Sequence, residues 1–199
     1  MKRSAAGAHF AFTLSFATAV KHRIHQTERL RIEPFGEHHL TSRYVGWLAD
    51  PEVVRWSEQR HDQHTLESCR DYQESFRGTP DMSFAIVAKD PVLGHIGNLT
   101  VHVQESHGLA DIGILLGERN AWGRGYGGEA WGAVMRALLA EPGMRKVTGG
   151  CVAENLAMAM IMRRCGMLED GRRVRHYVYD GREVDVVYFA AFAAPARQR

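Results

Sequence analysis

Residues 121–132 read AWGRGYGGEAWG, and four of the six residues from Gly123 to Gly128 are glycine, with Arg124 among them. Glycine has no Cβ, so a run of it lets backbone N–H groups turn toward a common centre and approach a ligand closely. The run stands ahead of Ala130, Trp131, Val134, Met135, Leu138 and Leu139, a helical stripe closed by Pro142-Gly143. A glycine loop feeding a helix N-terminus is a ready anion site, and phosphate is its usual occupant. Whatever fold the chain adopts has to place this loop at the mouth of a cavity.

The rest of the chain sets the surroundings. TERLRIEP, from Thr27, alternates Leu30 and Ile32 with charged neighbours and predicts a first strand. Leu40, Tyr44, Trp47 and Leu48 predict a helix over 37–48, stopped by Asp50-Pro51 and followed by a short helical turn at 52–55. Thr65 reads as the N-cap of another helix with Glu67 in its first turn and a buried face of Leu66, Cys69, Tyr72 and Phe76. The period then changes: SFAIVA (83–88), GHIGNLTVHV (94–103) and ADIGILL (110–116) are short apolar runs between turns, a meander of strands. Beyond the glycine loop and its helix come a strand over 146–152 and a Met-rich helix over 155–165 with Gly166 at its C-terminal cap. Two strands then flank the hairpin signal Asp180-Gly181. This order predicts an α+β domain around one mostly antiparallel sheet, rather than a repeating βαβ series.

Composition narrows the partners. With 199 residues, 45% of them hydrophobic and 24% charged, the chain suits one globular domain. A net charge of +2, with no block of Lys/Arg, excludes nucleic acid as the expected partner and suits a small anionic ligand. Cys69, Cys151 and Cys165 encode neither a disulfide framework nor a zinc knuckle, which points to a reducing, cytoplasmic compartment. His61-x-x-His64 and His22-x-x-His25 lack the acids and cysteines that would complete a ligand set, so no metal is expected. Residues 1–20 imitate a signal peptide, but His9, Thr13, Ser15 and Thr18 interrupt the apolar run, which is also too short to span a membrane. The expected organisation is an extension over 1–26, a domain over 27–192 and a tail over 193–199.

Gly123, Gly125 and Gly128 formally satisfy G-x-G-x-x-G, yet 118–122 separate the loop from the preceding strand and KVTGGC, about 20 residues on, holds no acid for a ribose. A P-loop would need its Lys-Ser/Thr pair where Glu129 and Ala130 stand. WGRGYGGEA resembles instead the pyrophosphate loop of the GNAT superfamily of acyl-CoA N-acyltransferases, in particular its branch of ribosomal-protein N-terminal acetyltransferases. The superfamily pattern Q/R-x-x-G-x-G/A is met with Trp122 in place of Gln or Arg, then Gly125 and Gly127. NLAMAMIMRRCGM, 155–167, is similar to the superfamily helix that begins with Asn and ends in Gly-aromatic. The resemblance spans about 27–192.

The resemblance implies a GNAT-like fold, acetyl-CoA as co-substrate, and a primary amine as acceptor. It implies cofactor contacts by Leu116, Gly123, Arg124, Gly125, Tyr126, Gly127 and Gly128, by Asn155 on the pantetheine arm, and by Met162 facing the thioester. Met162 occupies the position where the family often carries a Tyr general acid, with Tyr126 and Tyr177 as substitutes and positioning alone as the alternative. Asp111 takes the place of the Glu that some relatives use as general base, with a solvated edge residue as the competing reading. Arg60 and His61, in RWSEQRHDQHT, lie where the superfamily builds its acceptor site. That segment is similar to transferases acting on nucleotide-linked amino sugars, which favours a small-molecule acceptor over a protein N-terminus. A non-catalytic acyl-CoA-binding module and a nicotinamide-dependent oxidoreductase are the rivals of other classes. The sequence does not name the assembly state, and a homodimer is one alternative.

Overall fold

The computed structural model describes residues 20–194, so the readings of the apolar run at 1–19 and of the tail from 195 lie outside the described residues. Its strands are β1 (His25–Gln26), β2 (Leu30–Pro34), β3 (Met82–Ala88), β4 (His95–Gln104), β5 (Leu109–Leu116), β6 (Lys146–Val152), β7 (Leu168–Tyr179) and β8 (Arg182–Phe192). Its α-helices are α1 (Ser42–Ala49), α2 (Leu66–Glu74), α3 (Tyr126–Leu139) and α4 (Leu156–Arg164). The strands form one sheet in the order β1-β2-β3-β4-β5-β6-β8-β7, antiparallel except where β5 runs parallel to β6.

The expected elements form where local chemistry dictates them. Thr65 caps α2 by accepting from the Ser68 N–H, and the Ser68 hydroxyl caps the Thr65 N–H in return, a reciprocal box that satisfies two helix-end donors. Gly166, at φ 84°, ends α4 in the left-handed conformation while the Met167 N–H returns to the Met162 carbonyl. The helix predicted over 37–48 is split. Thr41, in extended conformation, accepts from the Tyr44 N–H and starts α1 at Ser42, leaving only a tight turn at Glu37–His39. β7 begins at Leu168, earlier than the hairpin pattern suggested, because LEDGRR is polar and sits exposed along an edge strand. The face expected for α2 is only partly buried: Cys69 is covered, whereas Leu66 and Tyr72 are exposed.

Two layers pack on the sheet. Ala110 and Ile112 of β5 point to the face covered by α3, where Trp131, Val134 and Leu138 complete the main core. Leu115 points to the opposite face, toward Tyr44, Trp47, Leu48 and Cys69 of α1 and α2. Val20 also joins the main core and β1 pairs with β2, so packed structure precedes Thr27.

The sheet opens at its centre. β5 and β6 pair only from Leu109↔Lys146 to Asp111↔Thr148, although β5 runs on to Leu116 and β6 to Val152. Past that point β5 stays with β4 as far as Gly97↔Leu116, and β6 stays with β8 as far as Val152↔Val186. Trp131 stands at the parting: a Cβ on Gly149 would lie 2.5 Å from its ring. The result is a fork with backbone groups of β5 left without a ladder partner on the side facing β6.

One buried histidine gives the fold a pH dependence. His39 is 3% exposed; its Nδ1 accepts from the Gly36 N–H at 3.0 Å, so its proton sits on Nε2 and is donated to Glu33 at 3.2 Å. Burial, aided by the neighbouring His95 and His38, lowers its pKa from 6.5 to about 4 against the pull of Glu33. Between those values the unfolded chain binds the extra proton and the folded chain does not, so stability falls as the pH drops from 6.5 toward 4. Thermal melts across that range should show a shallower slope in His39→Gln, which cannot titrate.

Candidate active site

The fork opens into a cleft of about 1010 Å³. The ends of β5 and β6, the glycine loop and α4 supply one half of its wall through Leu116, Gly123, Gly127, Cys151, Asn155 and Ile161. The other half comes from α1, α2, the 52–64 segment and β4, through Tyr44, Trp56, Tyr72, Asn98 and Thr100.

The glycine loop is built for an anion. None of the N–H groups from Gly123 to Gly128 donates to a backbone carbonyl of the described residues, and Gly125 begins α3 with φ 82°. Gly123, at φ 73°, makes the preceding turn. A Cβ on Gly127 would come within 3.1 Å of both Ile161 Cδ1 and Leu116 Cδ1, so glycine there keeps the floor of the cradle open. The helix N-terminus adds roughly half a positive charge, and no carboxylate of the described residues pairs with Arg124. A diphosphate fits this set of donors.

A clamp from the turn between β1 and β2 holds the loop in that shape. Arg29 donates from Nη1 to the Arg124 carbonyl at 2.8 Å, from Nε to Glu129 Oε2 at 2.7 Å, and stacks over the Tyr126 ring at 4.5 Å. Thr27 adds a hydroxyl hydrogen bond to Glu129 at 2.5 Å. Burial works to raise the Glu129 pKa, yet the donors Thr27 and Arg29 outweigh it and hold the carboxylate ionised. Arg29 thereby cancels the one acid in the first turn of α3 that would repel an anion. Trp122 reaches back across the same loop, donating from its indole to the Leu116 carbonyl at 2.9 Å.

Of the residues predicted from sequence, Leu116, Gly123, Gly127 and Asn155 line the cleft, with Arg124, Gly125 and Gly128 in the loop beside it. Asn155 also caps α4, accepting from the Met158 N–H at 3.1 Å. The others lie elsewhere. Met162 is 0% exposed in the main core, one turn beyond Met158, which lines the cleft with Ile161. Tyr126 is buried under Arg29, and Tyr177 stands on the outer strand β7. Asp111 belongs to the paired stretch of β5, short of the fork, where Thr148 donates to its carboxylate at 2.5 Å; it is not part of the cleft wall. Arg60 is spent on structure: it bonds Tyr179 Oη at 2.6 Å and Glu58 at 2.7 Å, with its guanidinium over the Tyr179 ring, tying the 52–64 segment to the β7–β8 hairpin. His61 is exposed and lines neither this cleft nor the smaller hollow beside Arg60, while His64 lines both.

Sequence reasoning passed over Tyr44, Tyr72 and Asn98 as cleft residues and set Cys151 aside as a nucleophile for want of a nearby histidine. Asn98, a polar residue inside the apolar run GHIGNLTVHV, was the one with a visible signal. Cys151 carries no histidine partner; its thiol lies 3.9 Å from the Asn155 carbonyl, and burial pushes its pKa up to about 11. It stays a neutral thiol, a poor nucleophile at neutral pH. The side chains of Glu33, His38 and His39 place ligand atoms within 4.8 Å of one another, but the Gly36 N–H on His39 Nδ1 keeps the proton on the very nitrogen a metal would need.

A family model described as the acetyltransferase (GNAT) domain matches residues 29–168. The chain belongs to the GNAT acetyltransferase family. It is therefore an acetyl-CoA-dependent N-acetyltransferase, and the dinucleotide reading of the glycines falls away. Solved structures share the GNAT fold. An acetyltransferase of this family from Bacillus anthracis is 19% identical with a TM-score of 0.72, over 86% of this chain and 99% of that one. A Salmonella typhimurium acetyl transferase that modifies the N-terminal serine of ribosomal protein L7/L12 is 16% identical with a TM-score of 0.71, over 86% and 100%. Spermidine N-acetyltransferase from Vibrio cholerae, in complex with CoA and spermine, is 13% identical with a TM-score of 0.73, over 84% and 97%. No curated protein sequence matches the chain. Among the described residues of this GNAT domain, no helix is long and apolar enough to cross a membrane.

Proposed function

We propose that this GNAT enzyme acetylates a primary amine on a small molecule, such as a nucleotide-linked amino sugar, by direct attack within a ternary complex. The observation that carries the reading is the single cleft through the fork. Its volume of about 1010 Å³ is at the upper end of small-molecule sites and suits two small reactants side by side. Acetyl-CoA supplies an activated thioester. The N–H groups from Gly123 to Gly128 and the Arg124 cation take its diphosphate, and the unpaired edge of β5 offers hydrogen bonds to the amide-bearing arm. The amine then forms its C–N bond as the C–S bond breaks, and one proton passes from nitrogen to the departing sulfur or to solvent.

In this reading the side chains nearest the fork hold and orient rather than relay protons. Asp111 is engaged by Thr148, and α4 presents Ala157, Met158 and Ile161 to the cleft, none of which donates a proton. Fixing two reactants side by side in a shaped cleft is itself worth several orders of magnitude in rate. With Cys151 held as a neutral thiol, no acyl-enzyme is needed.

Release of CoA thiol, measured with acetyl-CoA and a panel of amino sugars, nucleotide-linked amino sugars and peptide N-termini, tests this. The expected result is amine-dependent release with an N-acetylated small molecule as product, and no acetyl adduct on the protein by intact mass when the amine is withheld. Turnover confined to peptide N-termini would replace the small-molecule acceptor, and an acetyl adduct would replace direct attack.

A further inference from the structure

The wall of the cleft formed by α1, α2 and β4 contains a hydrogen-bond donor that none of the described residues takes up. Asn98 of β4 is 7% exposed and lines the cleft, and its Nδ2 has no hydrogen-bond partner among the described residues. The orientation of the amide is settled by its neighbour. His95 Nε2 lies 3.0 Å from the Gly97 carbonyl, which can only accept, so that nitrogen carries the proton; at 2.9 Å from Asn98 Oδ1 it donates there as well. Oδ1 is therefore committed to His95, and Nδ2 is left with its hydrogens. Leaving a buried donor unpaired is a desolvation cost, one that a substrate oxygen would remove.

A second donor stands beside it. Thr100 is on the same face of β4, also lines the cleft, and its hydroxyl lies over Gly113, where a Cβ would come within 2.9 Å of Oγ1. Thr100 is paired with Gly113, next to the fork, and Asn98 is paired with Leu115. Two residues along a strand is about 7 Å, so the two donors line a path leading away from the point where β5 and β6 part. A molecule whose amine sits at the fork thus meets hydrogen-bond donors a few bonds further on.

Resting on the transferase reading above, we infer that the acceptor is an oxygenated primary amine, with a hydroxyl or carbonyl oxygen a few bonds from the nitrogen that accepts from Asn98 Nδ2. An alkyl polyamine, protonated at its other nitrogens, has no lone pair to offer this donor. Asn98 is a specificity-determining residue, and it acts on the acceptor without touching the donor half of the cleft.

The test is a set of matched pairs at saturating acetyl-CoA: glucosamine against cyclohexylamine, alaninamide against butylamine, and spermidine as the polyamine. The first pair reports a hydroxyl source and the second a carbonyl source. At least one oxygenated member should exceed its alkyl partner by about 100-fold or more in kcat/KM, since a site built to bond an oxygen rejects the analogue lacking it. Asn98→Asp keeps an oxygen for His95 but removes the N–H donor, and Asn98→Ala removes both; each should collapse the ratio toward unity by slowing only the oxygenated member. The thermal shift produced by acetyl-CoA should be the same in wild type and both variants. Equal turnover of both members of each pair by the wild type, spermidine as the best acceptor, or a uniform loss on both members in Asn98→Asp would overturn the inference while leaving the transferase reading in place. Turnover of no primary amine, with the acetyl-CoA shift present, would overturn both. The wild-type ratios need no variant, so a poorly folding Asn98→Ala leaves the test decisive.

Discussion

Gly125→Val should lower kcat/KM for acetyl-CoA by about 100-fold or more and leave the apo protein folded. Gly125 adopts φ 82° and ψ 1° at the start of α3, a conformation that a β-branched residue reaches only at a cost of about 1–3 kcal/mol. Space is not the obstacle, because the nearest atom to an added Cβ is Arg29 Nη2 at 3.5 Å. The backbone relieves the strain by turning, and the unpaired N–H groups from Gly123 to Gly128 leave the positions they hold in the wild-type loop. Hydrogen bonds to a charged group are worth about 1.5–3 kcal/mol each, so misdirecting two of them accounts for roughly two orders of magnitude or more. Steady-state kinetics in acetyl-CoA, beside the melting temperature with and without that ligand, reads both halves of the expectation. A variant that keeps its affinity for acetyl-CoA would show that the loop does not hold the diphosphate.

Trp131→Ala should be the most destabilising single change near the site. The indole is 1% exposed, donates from Nε1 to Met167 Sδ at 3.2 Å, and fills the space over Gly149 where the central strands part. Truncating a buried Trp costs about 3–5 kcal/mol. At about 2–4 °C per kcal/mol for a chain of this size, the melting temperature should fall by roughly 6–20 °C. Activity should fall further than stability explains, because the ring also lines the cleft and its loss lets the walls of the fork settle into the void. Trp131→Phe, which keeps a ring, should recover most of the stability. Identical melting temperatures for wild type and Trp131→Ala would mean that the fork is held open by something other than this side chain.

The glycine loop could be read from the chain because its chemistry is local. Positive φ, missing Cβ atoms and a helix start are all set by residues within a few positions of Gly125. The same holds for the Thr65 and Gly166 caps and for the Asp180-Gly181 turn, each decided by short-range hydrogen bonds and backbone preference. Met162 shows where this stops. Within one helix the period says that Met158 and Met162 share a side, but it does not say which of them clears the core and reaches the cavity.

Asp111, Arg60 and Asn98 mark the boundary more sharply. Asp111 has the residue type and strand position of a base, and only the pairing of β5 with β6 brings Thr148 to its carboxylate. Arg60 looked free in a polar segment, and only the β7–β8 hairpin, over a hundred residues away, supplies the Tyr179 that engages it. Local pattern was enough to name the elements, the α+β class and the anion loop, since those follow from steric and periodic rules within a few residues. Which side chains meet at the fork, and which donor is left waiting there, depended on strand register and layer packing between distant segments, and those contacts exist only once the sheet has assembled.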